Sequence, residues 1–88
     1  MGEAEPSSEA ALHRQMAAKL FNRTWALLDE PNRTPAQDKE MLGAALGSHY
    51  HWGVVGDEKN FAVSDWQVSR VLAMLGQPDL AQQFADMA

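Results

Sequence analysis

The sequence contains no cysteine, which excludes disulfides, thiolate metal sites and cysteine nucleophiles together. Long apolar runs are missing too: the longest are a few residues, far short of the roughly 20 a membrane span needs. The acidic start MGEAEPSSEAA has neither the basic residues nor the apolar run of a signal peptide. Positive charge is scarce, with seven Lys and Arg against twelve Asp and Glu, a formal charge of −5 and a pI near 4.9. Such a field repels phosphate backbones. Arg14, Lys19, Arg23 and Arg33 could form a local basic patch, but Arg14 and Arg23 fall on opposite sides of a helix. These absences lead us to expect a cytoplasmic protein with neither a membrane nor a nucleic-acid partner. Alternating strand patterns and hairpin dipeptides are absent as well, so the chain reads as all-α.

What is present is enough for one core. Residues of the AVILMFWYC set make up 45% of the 88 residues, with three Trp, three Phe and five Met, too apolar for a disordered chain and too short for two domains. Residues 1–7, polar and aperiodic, read as a flexible N-terminal tail, and 8–88 as a single helical domain. Ser7 or Ser8 is placed to cap a first helix, whose apolar face runs through Leu12, Met16, Leu20, Phe21, Trp25 and Leu28 at three- and four-residue spacing. Pro31 disfavours helical backbone at Glu30, so this helix ends near Asp29. Thr34-Pro35-Ala36-Gln37 supplies a cap, a proline suited to the first turn and a capping-box glutamine. The second helix it opens runs to about Trp52, stopped by Gly53 and Gly56, with Met41, Leu42, Ala45, Leu46, His49 and Trp52 on one side. A third helix begins between Asp57 and Ser64 and reaches Leu75, Gly76 ends it, and Pro78 opens a fourth whose face is Leu80, Ala81, Phe84 and Met87. The expected architecture is two helical hairpins.

The stretch VLAMLGQPDLAQQFADMA, residues 71–88, resembles the second half of a tetratricopeptide repeat. Leu75 and Gly76 match the pair that closes the repeat's first helix, Leu72 a large apolar position, and Ala81, Ala85 and Ala88 the small positions of its second. Trp66 lies one residue from the repeat's early aromatic position, Ser69 stands in place of its usual glycine, and the first hairpin does not align with the second. The resemblance implies tetratricopeptide-like helix packing and the adaptor role of that class, binding peptides or partner proteins in a groove.

SHYHWG, residues 48–53, concentrates two histidines, a tyrosine and a tryptophan. On a helix His49 and His51 lie about 200° apart and cannot chelate one ion, and His13, the remaining histidine, is on another helix. No metal or other cofactor is therefore expected. His51 should face solvent, whereas His49 falls in the apolar face between Leu42, Ala45, Leu46 and Trp52. Asp65 is the matching oddity of the third helix, centred among Phe61, Val68, Leu72 and Leu75, and a buried carboxylate is costly unless paired. We expect His49 and Asp65 to meet between the second and third helices, either as a register-fixing structural pair or as a general base oriented by a carboxylate, with Tyr50 or Ser69 nearby. Trp25, Trp52 and Trp66 read as core or as pocket lining. Tyr50 sits at the edge of the apolar face, and Arg70 is a solvated charge or an anchor for a carboxylate ligand.

Two functions fit these expectations. The first is a non-enzymatic, adaptor-like interaction module that binds itself as a homodimer or another protein, through Leu80, Ala81, Phe84 and Met87, an apolar face with no following helix to cover it. The second is a small-ligand-binding or enzymatic protein with a pocket between the second and third helices, formed by His49, Tyr50, Trp52, Asp65, Trp66 and Arg70.

Overall fold

The computed structural model describes the backbone of residues 4–88 and the side chains of residues 9–88. Four helices, α1 (Ala4–Leu28), α2 (Pro35–Val55), α3 (Glu58–Met74) and α4 (Pro78–Met87), account for nearly all of it. No strand occurs among the described residues, and the fold is all-α. Residues 1–3 of the expected tail lie outside the described residues. Residues 4–7 are helical, so α1 begins ahead of Ser7 and Ser8. Pro6 is no obstacle, because it falls in the first turn, where a backbone N–H has no intrahelical partner to lose.

The starts of the middle helices are built by side chains. Thr34 Oγ1 accepts from the Gln37 backbone N–H at 3.1 Å, and Gln37 Oε1 accepts from the Thr34 N–H at 2.9 Å, the reciprocal capping box the sequence predicts. Asp57 and Asn60 make a second such box at the start of α3, each bond 3.0 Å. This fixes a helix start that periodicity alone left anywhere from Asp57 to Ser64.

The ends are set by glycine. α2 runs through Gly53 to Val55, past the expected stop at Trp52, and ends at Gly56. A Cβ on Gly56 would lie 2.7 Å from the Trp52 carbonyl oxygen and 2.8 Å from Asn60 Cβ, so the tight α2/α3 turn needs a residue without one. At the other turn Gly76 has φ +77°. There Gln77 N–H donates to the Leu72 carbonyl at 2.9 Å and Gly76 N–H to that of Ala73 at 3.1 Å, the paired bonds of a Schellman ending with glycine in the left-handed region.

Contacts run chiefly between consecutive helices, α1 with α2, α2 with α3 and α3 with α4. α1 and α2 form one antiparallel hairpin, α3 and α4 the other. The core joins them: Leu27 and Leu28 of α1, Met41 and Ala45 of α2, Val68, Val71 and Leu72 of α3, and Ala81 of α4, with Trp25, Leu42, Leu75 and Phe84 packed around. Across this core Gln67, wholly buried, donates from Nε2 to the Phe21 carbonyl at 3.0 Å, while its Oε1 has no partner.

The body measures 48 × 27 × 15 Å, no more than two helices deep. Every helix therefore keeps a face in water. No helix among the described residues is long and apolar enough to cross a membrane.

Candidate functional site

His49 on α2 and Asp65 on α3 meet as expected, with Nε2 2.6 Å from Oδ1. Their helices run antiparallel about the turn at Gly56 and Asp57, and the two residues are equidistant from Asp57, so the turn itself brings them level. The Asp65 side chain is only 11% exposed, whereas that of His49 keeps 38%. Asp65 is thus the inner member, whose desolvation the imidazole offsets, and His49 is the member facing out.

Around this pair lies an open groove of about 500 Å³ lined by His49, Gly53, Phe61, Ser64, Asp65, Phe84 and Met87. α4 contributes its outer wall. Phe84 stands edge-on to the His49 ring, centroids 5.7 Å apart at 80°, and Met87 is 59% exposed at the rim. The polar chemistry in the groove is an imidazole held by a carboxylate at Nε2, which leaves Nδ1 as the nitrogen turned to other tasks. Ser64 Oγ donates to the Phe61 carbonyl at 3.1 Å, so its proton is committed within α3 and does not complete a nucleophile. Ser69, expected near His49, donates instead to the Ala81 carbonyl at 2.8 Å and ties α3 to α4.

The other expected pocket residues are elsewhere. Tyr50 follows His49, and Trp66 follows Asp65, by one step of about 100° around its helix, which turns each out of the groove. Trp52 lines a separate pocket of about 210 Å³ with Phe21, Lys59, Asn60 and Val63. Trp66 lies against Trp25, ring centroids 5.4 Å apart, with the Arg70 guanidinium 5.6 Å from its ring centre, a cation–π contact that accounts for Arg70. Tyr50 is 63% exposed beside His51.

The expected α4 face also divides. Leu80 and Met87 are exposed and Phe84 is half-buried, but Ala81 is 6% exposed and belongs to the core. A small side chain there lets α4 approach α3 closely. Ala85 and Ala88, the other small positions, are exposed.

His51 does not face solvent. Its Nδ1 lies 2.8 Å from Nδ1 of His13, because His51 shares the face of α2 that carries Ser48, and that face packs on α1. A signal for this contact was available. Cross-hairpin pairs are symmetric about the loop: Arg23 with Glu40, Ala17 with Ser48 and His13 with His51 all have midpoints within half a residue of Asn32. The candidate basic patch is likewise tied down. Arg23 grips Glu40 with bonds of 2.7 and 3.1 Å, Arg33 pairs with Asp38 at 2.7 Å and reaches the Leu27, Leu28 and Glu30 carbonyls at the end of α1, and Arg14 donates to the Val55 carbonyl. The hydrogen bond from Arg23 holds the Glu40 carboxyl below its usual range and in return raises the guanidinium.

Comparison with protein-family models, curated proteins and solved structures found no match to the chain.

Proposed function

We propose that this chain is a non-enzymatic, adaptor-like interaction module that binds apolar segments of proteins, a second copy of itself included, at the α4 edge. The observation that carries the reading is the groove between α2, α3 and α4, apolar in Phe61, Phe84 and Met87 and open to solvent along its length. Exposed Leu80 and Met87 extend its apolar rim on α4, and clustered apolar surface of this kind is what association covers. Consecutive helix packing, the glycine-closed α3/α4 turn and the buried Ala81 support a tetratricopeptide-like character for the second hairpin. The cysteine-free, acidic composition supports a cytoplasmic setting.

Native mass spectrometry over a concentration series tests self-association. A dimer that forms at micromolar concentration and is lost in Leu80→Glu/Met87→Glu, with the melting temperature kept, is the expected result. A monomer at every concentration overturns it.

The paired His49 and Asp65 on the groove floor favour a second reading, a small-ligand or enzymatic site in which the oriented imidazole accepts a proton or hydrogen bond. That reading expects a rise in melting temperature, or a tryptophan fluorescence change, with some compound of a metabolite set, and the loss of both in His49→Gln.

A further inference from the structure

At the end of the first hairpin away from the core, His13 and His51 face each other across α1 and α2. Their Nδ1 atoms are 2.8 Å apart, the ring centroids 5.0 Å, and the planes are inclined at 45°. Both residues are half-buried, so neither is locked in the core. Two imidazole nitrogens this close share one hydrogen, donated by one ring and accepted by the other.

We propose that this pair is a two-histidine, interhelical site for a borderline divalent transition metal, with cupric ion favoured by its affinity for imidazole nitrogen. Metal–nitrogen bonds of about 2.0 Å place two adjacent ligand nitrogens about 2.8 to 3.3 Å apart, between a right and a tetrahedral angle. The two Nδ1 atoms already stand at such a distance, and rotation of the rings turns them to one ion.

Binding keeps the proton count. The donor ring changes from its Nδ1–H to its Nε2–H tautomer, and both rings turn so that their Nδ1 lone pairs point at the ion instead of at each other. Two neutral imidazoles take up the metal with no net gain or loss of protons. Arg14, the cation next along α1, has its guanidinium on the Val55 carbonyl, an arrangement that occupies it at the end of α2. Tyr50 stands beside the pair, 5.3 Å from the His51 ring and 6.5 Å from that of His13. No group of three or more His, Cys, Asp or Glu converges among the described residues. The protein thus supplies two ligands and water the rest, an open and exchangeable site that fastens α1 to α2 at the end the core does not reach.

The experiment is a proton NMR titration of the full chain with copper(II) chloride. Tyr50 is the only tyrosine in the sequence, so its ring signals report on the site without assignment, while those of Phe84, against His49, serve as the internal control. Substoichiometric copper is expected to broaden Tyr50 first and to spare Phe84. In His13→Gln and His51→Gln, two independent variants, the copper concentration for half-broadening rises roughly tenfold or more, at least the loss usual for an outer-shell partner. Saturating nickel chloride is expected to raise the melting temperature of the wild type. Tyr50 signals that stay sharp in the wild type overturn the proposal. So does equal broadening in either folded variant, the mark of an adventitious ion only.

Discussion

In the first hairpin side chains bond α1 to α2 at four levels, Arg23 with Glu40, Ser48 with the Ala17 carbonyl, Arg14 with the Val55 carbonyl and His13 with His51. In the second, α3 and α4 are bridged by Ser69 on the Ala81 carbonyl, and the rest of the contact is apolar. The difference follows from length and position. Helices of 25 and 21 residues extend well past the core and need ties along the overhang, whereas a 10-residue α4 is all within reach of α3. Polar ties fix register and orientation more than they stabilise, since each replaces hydrogen bonds the same groups make to water in the unfolded chain. Both hairpins keep some apolar side chains in water, Leu12, Leu46 and Val54 in the first and Phe61, Leu80 and Met87 in the second, but only the second sets them around a groove.

The comparison holds only if both hairpins fold as one unit around the shared core. Met41, wholly buried in α2, tests this most severely: Met41→Ala should cost about 3 kcal/mol and lower the melting of α3 and α4 equally with that of α1 and α2. Separate transitions, followed by tryptophan fluorescence and by hydrogen exchange of α4 amides, would break the comparison. Next in size is His49→Ala, which strands the buried Asp65 carboxylate at the joint between hairpins and should cost about 2 kcal/mol in urea denaturation. His49 is more than a third exposed, which keeps the figure below that of a fully buried pair. Gly76→Ala acts inside the second hairpin alone. With φ +77° the added Cβ should cost about 1 kcal/mol, and proteolysis should find the α3/α4 turn more readily than in the wild type.

The smallest effect lies on the surface of the first hairpin. Glu40 has its carboxyl held below the ordinary 4.5 by the hydrogen bond from Arg23, so the folded state favours the ionised form. The stability this adds is present at neutral pH and is lost as pH falls through the lowered pKa. Glu40→Gln should therefore melt slightly below the wild type at neutral pH, and the gap should close as pH falls below the ordinary carboxylate range. A gap that widens in acid would mean that the pair does not tie the hairpin.

Local signals in the sequence carry the helix boundaries. The cap and proline at Thr34 and Pro35, and the glycine and proline at Gly76 and Pro78, depend on residues within one turn of each other, and the helices start and stop there. His49 and Asp65 were also legible, because each is the polar intruder on an apolar face and burial leaves such a pair few partners. What failed were conclusions that needed the far side of a helix. Tyr50, Trp52, Trp66 and Arg70 are near His49 or Asp65 in sequence but lie on three other surfaces. His51 falls on the polar side of its own helical wheel, which carries no information about the neighbouring helix that covers it. The PNRTP loop held the missing information, since its centre near Asn32 sets which residues of α1 and α2 stand opposite one another. Ala81 carries two expectations, a small position for close helix approach and a member of an uncovered face, and its burial in the core fits the first and removes it from the second.

A body 15 Å through in its shortest direction resembles a plank more than a sphere. A sphere can tolerate one poor joint because layers of material surround it. A plank has water a single side chain away from every seam, so each seam must be aligned by its own fasteners, and the placing of the three turns decides which fasteners meet.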